Sequence, residues 1–254
     1  MKYFGLIFTA RLIAPTLALA LAFSSAVSRA DQSLDILTSK RYIAKICNKI
    51  LIEALATIDY KMNPVYLPSN RAAAMVNQGY ADATACRIGG FENKFTNMLR
   101  IEPSITKLYS HLFTTTLKLP ISDGSWHLLR PHRLGIFNGH YYAARGTASF
   151  PQVTPFDSNL QMLKMLDIGR IEGAVMLTVD AVQTLRENDF ENKINISERA
   201  LSKLPLYLYI HKKNAHLVDQ LNVAIRQIVS SGRAKEITDQ MHRAAFEGIA
   251  VYRE

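Results

Sequence analysis

Two short stretches of this chain share one pattern: GYADA at residues 79–83 and GRIEG at residues 169–173. Each follows an amphipathic run, at residues 70–78 and 159–168, and each precedes a short apolar segment. This order is typical of a helix that ends at a glycine, a turn that carries an acid, and a buried strand. Two such units 90 residues apart predict two similar α/β lobes, and a pair of lobes forms a cleft in which a ligand can bind.

The residues on either side of the two stretches predict the same succession of strands and helices in each half of the chain. In the first half, the predicted strands are 34–38, 62–67, 82–87 and 104–119, and the helices are 41–58 and 70–78. In the second half, the strands are 133–137, 153–156, 174–177 and 204–210, and the helices begin at residue 140 or span 158–169, 180–188, 215–231 and 233–246. This alternation predicts an α/β protein with a largely parallel sheet.

Residues 1–30 have the composition of a secretory signal peptide. Basic residues without acids precede an apolar run at 12–23, and the small residues Ser28 and Ala30 fit a cleavage pattern. A retained N-terminal anchor is the alternative, but the apolar run is short for a membrane span. We therefore expect cleavage before Asp31 and a soluble periplasmic protein that is not embedded in the membrane.

The charge pattern argues against a nucleic-acid partner. The formal net charge of the 254-residue chain is +9, and it falls to +6 once the three bases of the first thirty residues are removed. The remaining bases are dispersed, and aromatic residues do not alternate with them as they do on nucleic-acid-binding surfaces. A mildly basic surface suits anionic ligands, or it serves only solvation.

The two cysteines of the chain, Cys47 and Cys86, are candidates for a disulfide because the expected compartment is oxidising. Cys47 lies on the apolar stripe of the predicted first helix, and Cys86 lies in the strand that this helix should cover. The alternative is a pair of buried thiols that pack as small apolar groups. Sequence does not decide between them, because it does not give the distance between the two Cα atoms.

Several short motifs accompany this order of elements. They are Pro68-Ser69-Asn70-Arg71 with Gly79-x-x-Asp82, Leu134-Gly135-Ile136-Phe137-Asn138-Gly139, Gly169-Arg170-Ile171-Glu172, and Ser230-Ser231-Gly232-Arg233. Together they resemble the type II periplasmic solute-binding proteins, in particular the amino-acid-binding branch of ABC importers. The resemblance implies two Rossmann-like α/β lobes joined by a hinge of two crossings. Lobe one would comprise residues 31–118 and 206–254, and lobe two residues 119–205.

The resemblance also implies a function. Such a protein is a monomer that captures a small polar or anionic solute, either amino-acid-like or an organic acid, and delivers it to an ABC permease. The ligand holds the lobes together because its contacts with both exist only in the closed state. We expect no cofactor and no metal, because the seven histidines lack metal-ligand spacing and no catalytic motif occurs.

The strand ends that should face the cleft carry the candidate ligand-binding residues. They are Ser39, Arg71, Arg87 and Lys94 in lobe one, and Asn138, Gly139, His140, Thr178 and Asp180 in lobe two. Arg87 is the leading candidate, because a guanidinium can hold a carboxylate with two hydrogen bonds. Lys94 lies near the place where the family carries an arginine. The family's Thr-x-x-Arg stretch and its aromatic tetrapeptide are missing, which argues against an ordinary α-amino acid.

Simpler roles compete with ligand binding at several of these positions. Helix capping is the favoured role of Ser39 and of Asp180, although Ser39 should stand with Arg41 at the cleft rim. Arg71 is equally well explained as a solvated residue of the first helical turn, and His140 as a surface residue. The acids of the two repeated turns are expected to cap or to pair with a base rather than to catalyse.

Two other functions stay open. The first is an enzyme on the same scaffold, similar to the cyclohexadienyl dehydratases, which would need Asp180, His140 or Glu92 as a general acid. The second is a degenerate pair of lobes that acts as a sensor or a protein-interaction module and binds little.

Overall fold

The computed structural model describes residues 32–249 and 251–252, so the expected signal peptide and its cleavage point lie outside the described residues. Over this range the strands are β1 (Gln32–Thr38), β2 (Tyr60–Tyr66), β3 (Ala83–Ile88), β4 (Met98–Arg100), β5 (Thr106–Thr114), β6 (Leu134–Phe137), β7 (Val153–Phe156), β8 (Gly173–Leu177), β9 (Asn195–Ser197), β10 (Ser202–His211) and β11 (Val251–Tyr252). The helices are α1 (Tyr42–Ala56), α2 (Ser69–Asn77), α3 (Tyr141–Gly146), α4 (Asn159–Asp167), α5 (Thr178–Glu187), α6 (Val218–Ser230) and α7 (Arg233–Phe246). Within this part of the chain, no helix is both long and apolar enough to cross a membrane.

One sheet runs through the protein in the order β2-β1-β3-β10-β5-β8-β6-β7. β1 pairs in parallel with β2 and β3, and β6 pairs in parallel with β7 and β8. We call β1–β4 with α1, α2 and α6 the first lobe, and β6–β9 with α3–α5 the second. β5 carries the chain from the first lobe to the second and β10 carries it back, so the fold has the two predicted crossings.

The two crossing strands correct one expectation about the sheet. β5 and β10 pair antiparallel with each other, β10 pairs antiparallel with β3, and β5 pairs antiparallel with β8. The sheet is therefore mixed rather than largely parallel. The reason is that the chain leaves along one long strand and returns along its neighbour, which reverses its direction.

Buried aliphatic side chains form the core of each lobe. In the first lobe, α1 and α6 pack against β1 and β10. In the second, α4 and α5 pack against β8. The predicted apolar stripe of α1 is wholly buried, and each such side chain contributes roughly 1.5–3 kcal/mol of transfer free energy. Helical periodicity thus identified the buried face of this helix correctly.

The two repeated turns have the same hydrogen-bond pattern in both lobes. Asp82 donates its backbone N–H to the Asp35 carbonyl (3.1 Å) and accepts the Asp35 N–H on its carboxylate (2.9 Å). Glu172 does the same with Arg133, at 2.8 Å and 2.9 Å. Each acid therefore binds the backbone of the first strand of its own lobe: Asp82 in the middle of β1, and Glu172 directly before β6.

Both acids also pair with a base, as the sequence predicted. Asp82 lies 3.0 Å from Lys213 Nζ, and Glu172 lies 3.3 Å from Arg133 Nε. Hydrogen bonds from the backbone and the guanidinium of Arg133 hold the pKa of Glu172 below its usual value. The two acids therefore stabilise the fold through backbone hydrogen bonds and ion pairs. This confirms the prediction that they pair with a base rather than catalyse.

Some element boundaries differ from the sequence prediction. The strand expected at 104–119 ends at Thr114, because the Thr114 hydroxyl accepts the N–H groups of Thr116 and Leu117 and turns the chain. The short strands β4, β9 and β11 were not predicted. Strands of two or three residues are too short to show the alternation of apolar and polar residues that identifies a strand.

Candidate functional site

An ion pair joins the two lobes where β1 and β8 end. Arg41 lies between β1 and α1, and Asp180 lies in the first turn of α5, which begins directly after β8. Arg41 Nη2 donates a hydrogen bond to Asp180 Oδ2. The Arg41 side chain is 43% exposed and that of Asp180 is 20% exposed, so the pair lies near the surface. Residues of the chain itself therefore bridge the two lobes.

Neither Ser39 nor Asp180 caps a helix, which corrects the interpretation favoured from sequence. The N-cap residue of α1 is Arg41, and no side chain caps this helix; Ser39 is half-buried two residues earlier. Helix α5 begins at Thr178 after Leu177, two residues earlier than expected, so Asp180 lies inside the helix. An acid is favourable in a first helical turn, and because the Asp180 side chain does not cap the helix, its carboxylate pairs with Arg41.

Arg87 is buried at the end of β3, with 9% of its surface exposed. Its Nε and Nη2 donate to Thr84 Oγ1 (3.1 and 2.9 Å), and Nη2 also donates to the Ser69 carbonyl (3.0 Å). The guanidinium carbon lies 5.4 Å from the centre of the Phe91 ring. Burial, and secondarily the charge of Arg41, lower the pKa of Arg87 to about 10. Among the described residues, no carboxylate forms an ion pair with this guanidinium.

A bulge in β3 determines where Arg87 points. Two residues of β3 oppose one residue of β10 between the pairs Arg87–Tyr207 and Thr84–Tyr209. One of the two is Cys86, whose φ of 59° is rare for a residue other than glycine. A bulge inserts one extra residue and re-aims the side chains that follow it. The sequence contains no signal for this bulge, because Cys86 lies within an otherwise regular strand pattern.

A disulfide between Cys47 and Cys86 holds the bulge against α1. The two Cα atoms are 6.1 Å apart, within the usual range for a disulfide. Of the two alternatives left open by the sequence, the structure contains the disulfide. Because Arg87 follows Cys86 directly, the crosslink also positions the buried guanidinium.

Three buried polar atoms near the ion pair have no hydrogen-bond partner among the described residues. They are Ser110 Oγ on β5, His140 Nδ1 directly before α3, and the Tyr142 hydroxyl within α3. The His140 ring is stacked between Phe137 and Tyr142, with ring centres 4.4 and 5.7 Å apart. Buried polar atoms are nearly always satisfied in folded proteins, so three together indicate room for a partner.

The charges of Arg41 and Asp180 affect the pKa values of His140 and Tyr142. Burial, and secondarily the charge of Arg41, lower the pKa of His140 to about 4, while Asp180 acts in the opposite direction. Burial, and secondarily Asp180, raise the pKa of Tyr142 well above its usual value. Tyr142 also lies beside Ser110, without hydrogen-bond geometry between the two oxygens. Both rings are therefore neutral at pH 7. We call Arg41, Arg87, Ser110, His140, Tyr142 and Asp180 the cleft cluster.

Four predicted residues make no hydrogen bond, ion pair or ring contact with the cleft cluster within the described part of the chain. Arg71 is exposed on α2. Lys94 is exposed, with its ammonium 5.5 Å from the centre of the ring that follows it. Asn138 donates to Asp157 Oδ1 (3.1 Å), and Gly139 has a φ of 79° in an exposed turn.

Thr178 faces away from the cleft cluster, contrary to expectation. Its hydroxyl donates to the Tyr109 carbonyl (2.8 Å), and its oxygen lies 2.6 Å from His111 Nδ1. Successive side chains of a strand point to opposite faces. Tyr109 and His111 therefore lie on one face of β5, and Ser110 lies on the other.

Two members of the cleft cluster, Ser110 and Tyr142, were not predicted from the sequence. A single small polar residue in the predicted crossing strand is a weak signal for Ser110. No sequence signal identified Tyr142, because its hydroxyl reaches the cluster only through the fold of the second lobe.

The three residues named as general acids for the enzyme alternative are either paired with other side chains or neutral. Glu92 accepts the Tyr209 hydroxyl (2.5 Å) and pairs with Arg100 (3.0 Å). Although burial opposes ionisation, these partners lower the pKa of Glu92. Asp180 is paired with Arg41, and His140 is neutral. A general acid works best with a pKa near the working pH, and the pKa values of Glu92 and of His140 are both lowered away from neutral pH.

No protein-family model and no curated protein matches the sequence. Solved structures match the fold. The L-cystine solute receptor of Neisseria gonorrhoeae in its unliganded open conformation aligns with a TM-score of 0.63 at 15% identity, over 83% of this chain and 93% of that chain. A histidine kinase sensor domain with similarity to periplasmic binding proteins aligns at 0.59 and 14% identity, over 83% and 96%. The substrate-binding protein of an amino acid ABC transporter aligns at 0.55 and 14%, over 82% and 98%.

These likenesses cover nearly all of each matched protein, and at such low identities they concern the fold. The resemblance inferred from the motifs is thereby confirmed at the level of architecture: this chain has the fold of the type II periplasmic binding proteins.

Proposed function

We propose that this protein is a solute-binding protein that holds a small carboxylate between its two lobes. The observation that carries the proposal is Arg87, whose buried guanidinium has no acidic partner among the described residues. A buried charge without a counter-ion is unfavourable. A ligand carboxylate would supply the counter-ion through charge-assisted hydrogen bonds, and Arg87 Nη1, which donates to none of those residues, is free to form one.

The unpartnered atoms of the cleft cluster support a ligand with further polar atoms. The hydroxyls of Ser110 and Tyr142 can each donate or accept, and a neutral imidazole can do either at Nδ1, depending on its tautomer. These groups come from β5 and from the second lobe, whereas Arg87 comes from the first. A ligand that satisfies both sets would contact both lobes.

The pairing of Asp180 with Arg41 favours an organic acid over an α-amino acid as the ligand. A ligand ammonium would need a carboxylate partner in the cleft, and Asp180 is the only acid of the cleft cluster. Arg41 already occupies it. An amino acid would have to displace the guanidinium, whereas an organic acid leaves the ion pair intact and gains the nearby charge of Arg41.

The rest of the proposed function follows from the fold. The lobes, with boundaries at 118/119 and 205/206, would close by bending at the crossing strands β5 and β10, because ligand contacts with both lobes stabilise only the closed state. We propose that residues 1–30 direct export to the periplasm. Delivery of the ligand to an ABC permease completes this function.

Arg87→Met is expected to weaken carboxylate binding strongly. In a thermal-shift screen of organic acids, amino acids and sugars, we expect carboxylates to raise the melting temperature. A ligand at a concentration of a hundred times its Kd adds roughly 2.7 kcal/mol to the free energy of unfolding. Loss of a charge-assisted bond should weaken binding by about 10- to 100-fold. The matched control is Arg71→Met, which removes an exposed arginine. A screen without any carboxylate response, or an undiminished response in Arg87→Met, would contradict the proposal.

Asp180→Asn and Arg41→Gln are expected to shift organic-acid affinity in opposite directions. Removal of the Asp180 carboxylate frees Arg41 for the ligand and should tighten binding by a few-fold, whereas loss of the Arg41 charge should weaken it by about the same factor. Isothermal titration calorimetry with the best organic acid of the screen measures both. If Asp180→Asn instead weakens binding, Asp180 contacts the ligand, and an amino acid becomes the favoured ligand.

A module that binds no solute is the second candidate function. The Arg41–Asp180 pair favours it, because residues of the chain already join the lobes. In that case no small molecule shifts the melting temperature of the parent protein or of Arg87→Met.

A further inference from the structure

A second cavity, of about 570 Å³, lies on the face of β5 that carries Tyr109 and His111. Its walls come from the crossing strands β5 and β10, the first turn of α5 and the second half of α7. Ser110 points to the opposite face, so a single strand separates this cavity from the cleft cluster. An occupant would contact both crossing strands and helices on both sides of them.

The hydrogen bonds of Thr178 determine the tautomer of His111. The single hydroxyl proton of Thr178 is donated to the Tyr109 carbonyl. The 2.6 Å contact between Thr178 Oγ1 and His111 Nδ1 must therefore be donated by an Nδ1–H group. His111 Nε2 is then an acceptor that receives no hydrogen bond from the described residues. Burial, and secondarily His242, lower the pKa of His111 to about 4, so the ring stays neutral at pH 7.

Three aromatic rings form one wall of the cavity. The Tyr109 and His242 rings meet edge to face at 6.0 Å, and the His242 and Phe246 rings do the same at 6.1 Å. Aromatic ligands pack well against such ring edges and faces. His242 Nε2 is also buried without a hydrogen-bond partner among the described residues. This wall therefore suits a flat, ring-bearing molecule.

The polar lining favours a hydrogen-bond donor of positive charge. Three carboxylates and two cations line the cavity: Asp123, Glu198, Asp239, Arg199 and Lys203. Asp239 shares its charge with Lys235, one helical turn earlier. A neutral imidazole acceptor cannot stabilise an anion, whereas it can accept a hydrogen bond from an ammonium group.

We propose that this cavity is a second small-molecule site, distinct from the cleft, that takes an aromatic amine. The ring of the ligand lies against Tyr109, His242 and Phe246, and its ammonium donates to His111 Nε2 and to Asp239. The proposal stands on this geometry independently of whether the cleft binds a carboxylate.

The test uses the whole exported chain and 2-phenylethylamine as the probe. Long-range proton–nitrogen NMR spectra report the tautomer of each histidine and the state of each ring nitrogen. We expect His111 in the Nδ1–H form, with an Nε2 resonance that shifts saturably with the amine at roughly millimolar concentration. 3-Phenylpropionate, with the same ring and chain length but the opposite charge, should leave this resonance in place. In Asp239→Asn the amine should bind about three- to tenfold more weakly.

Asp180→Asn is the control, because the Asp180 carboxylate pairs with Arg41 in the cleft cluster and does not line the cavity, and this variant should leave amine affinity unchanged. The proposal is overturned if the His111 Nε2 resonance does not respond to the amine, or responds equally to the acid. An Nε2–H tautomer overturns it as well. A loss of amine binding in Asp180→Asn, with Asp239→Asn unaffected, would place the amine in the cleft and equally exclude the second site.

Discussion

Reduction of the Cys47–Cys86 disulfide is expected to lower the free energy of unfolding by about 4 kcal/mol. The crosslink closes a loop with a sequence separation of 39 residues. In the chain-entropy description, such a loop restricts the unfolded chain much more than the folded one, so removal of the crosslink stabilises the unfolded state. The native Cα–Cα distance of 6.1 Å is typical of disulfides, so the folded state is not distorted by the bond.

Urea unfolding of the oxidised and the reduced protein measures this effect, and the double variant Cys47→Ala/Cys86→Ala separates it from other actions of the reductant. The double variant should be as unstable as the reduced parent protein and should not respond to reductant. Equal urea midpoints for oxidised and reduced protein would contradict the prediction.

The same reduction is expected to weaken carboxylate binding. Cys86 occupies the bulge of β3 with a positive φ, and the disulfide holds this bulge against α1. Arg87 is the next residue, so a bulge that relaxes moves the guanidinium away from the cleft cluster. Calorimetric titration of the reduced, still folded protein at low temperature measures this. Unchanged affinity would mean that the hydrogen bonds from Arg87 to Thr84 and Ser69 suffice to position it.

Acidification from pH 7 to pH 4 is expected to cost about 3 kcal/mol of stability through His111 alone. Its pKa is lowered from 6.5 to about 4 in the folded protein, by burial and secondarily by His242. Between these values the unfolded chain binds a proton that the folded chain does not. The neutral ring therefore makes its full contribution to the free energy of unfolding above pH 6.5. This contribution is lost progressively as the pH falls toward 4. His140 and His242, whose pKa values are also lowered by burial, act in the same direction.

The pH dependence of the free energy of unfolding, from urea titrations between pH 7 and 4, measures this loss. His111→Asn keeps a donor toward Thr178 and removes the titrating ring, so its stability should fall less steeply with pH. The matched control is His127→Asn, which makes the same substitution at an exposed position. The groups that face His111 (Tyr109, Thr178, His242 and Asp239) are unchanged in both variants. A parental slope in His111→Asn would contradict the assignment.

Most of the fold was predictable because its signals are local. The apolar stripe of α1 follows from a period of 3.6 residues, and the two glycine–acid turns follow from short motifs that end a helix. These patterns predicted two lobes and supported the family resemblance, and the resemblance in turn implied the two crossings. The antiparallel direction of β5 and β10 relative to their neighbours was not predicted, because strand direction depends on where the chain goes next.

The candidate site was predictable only in part. Arg87 and His140 were named from their positions at strand ends, and both lie in the cleft cluster. Thr178 was named for the same reason, but it faces the other side of β5. A position at a strand end does not tell which way the side chain points.

The sequence by itself determined the two-lobed α/β architecture of this protein, its repeated turns and some of the polar residues of the cleft cluster, among them Arg87 and His140. Only the tertiary structure decided which of these residues meet. Arg41 and Asp180 are 139 residues apart and pair through the approach of the two lobes, and Arg87 turns inward because of a bulge next to a disulfide. Helical and strand periodicity act over a few residues, whereas such contacts depend on strand register and crossing direction, which arise only when the distant segments pack.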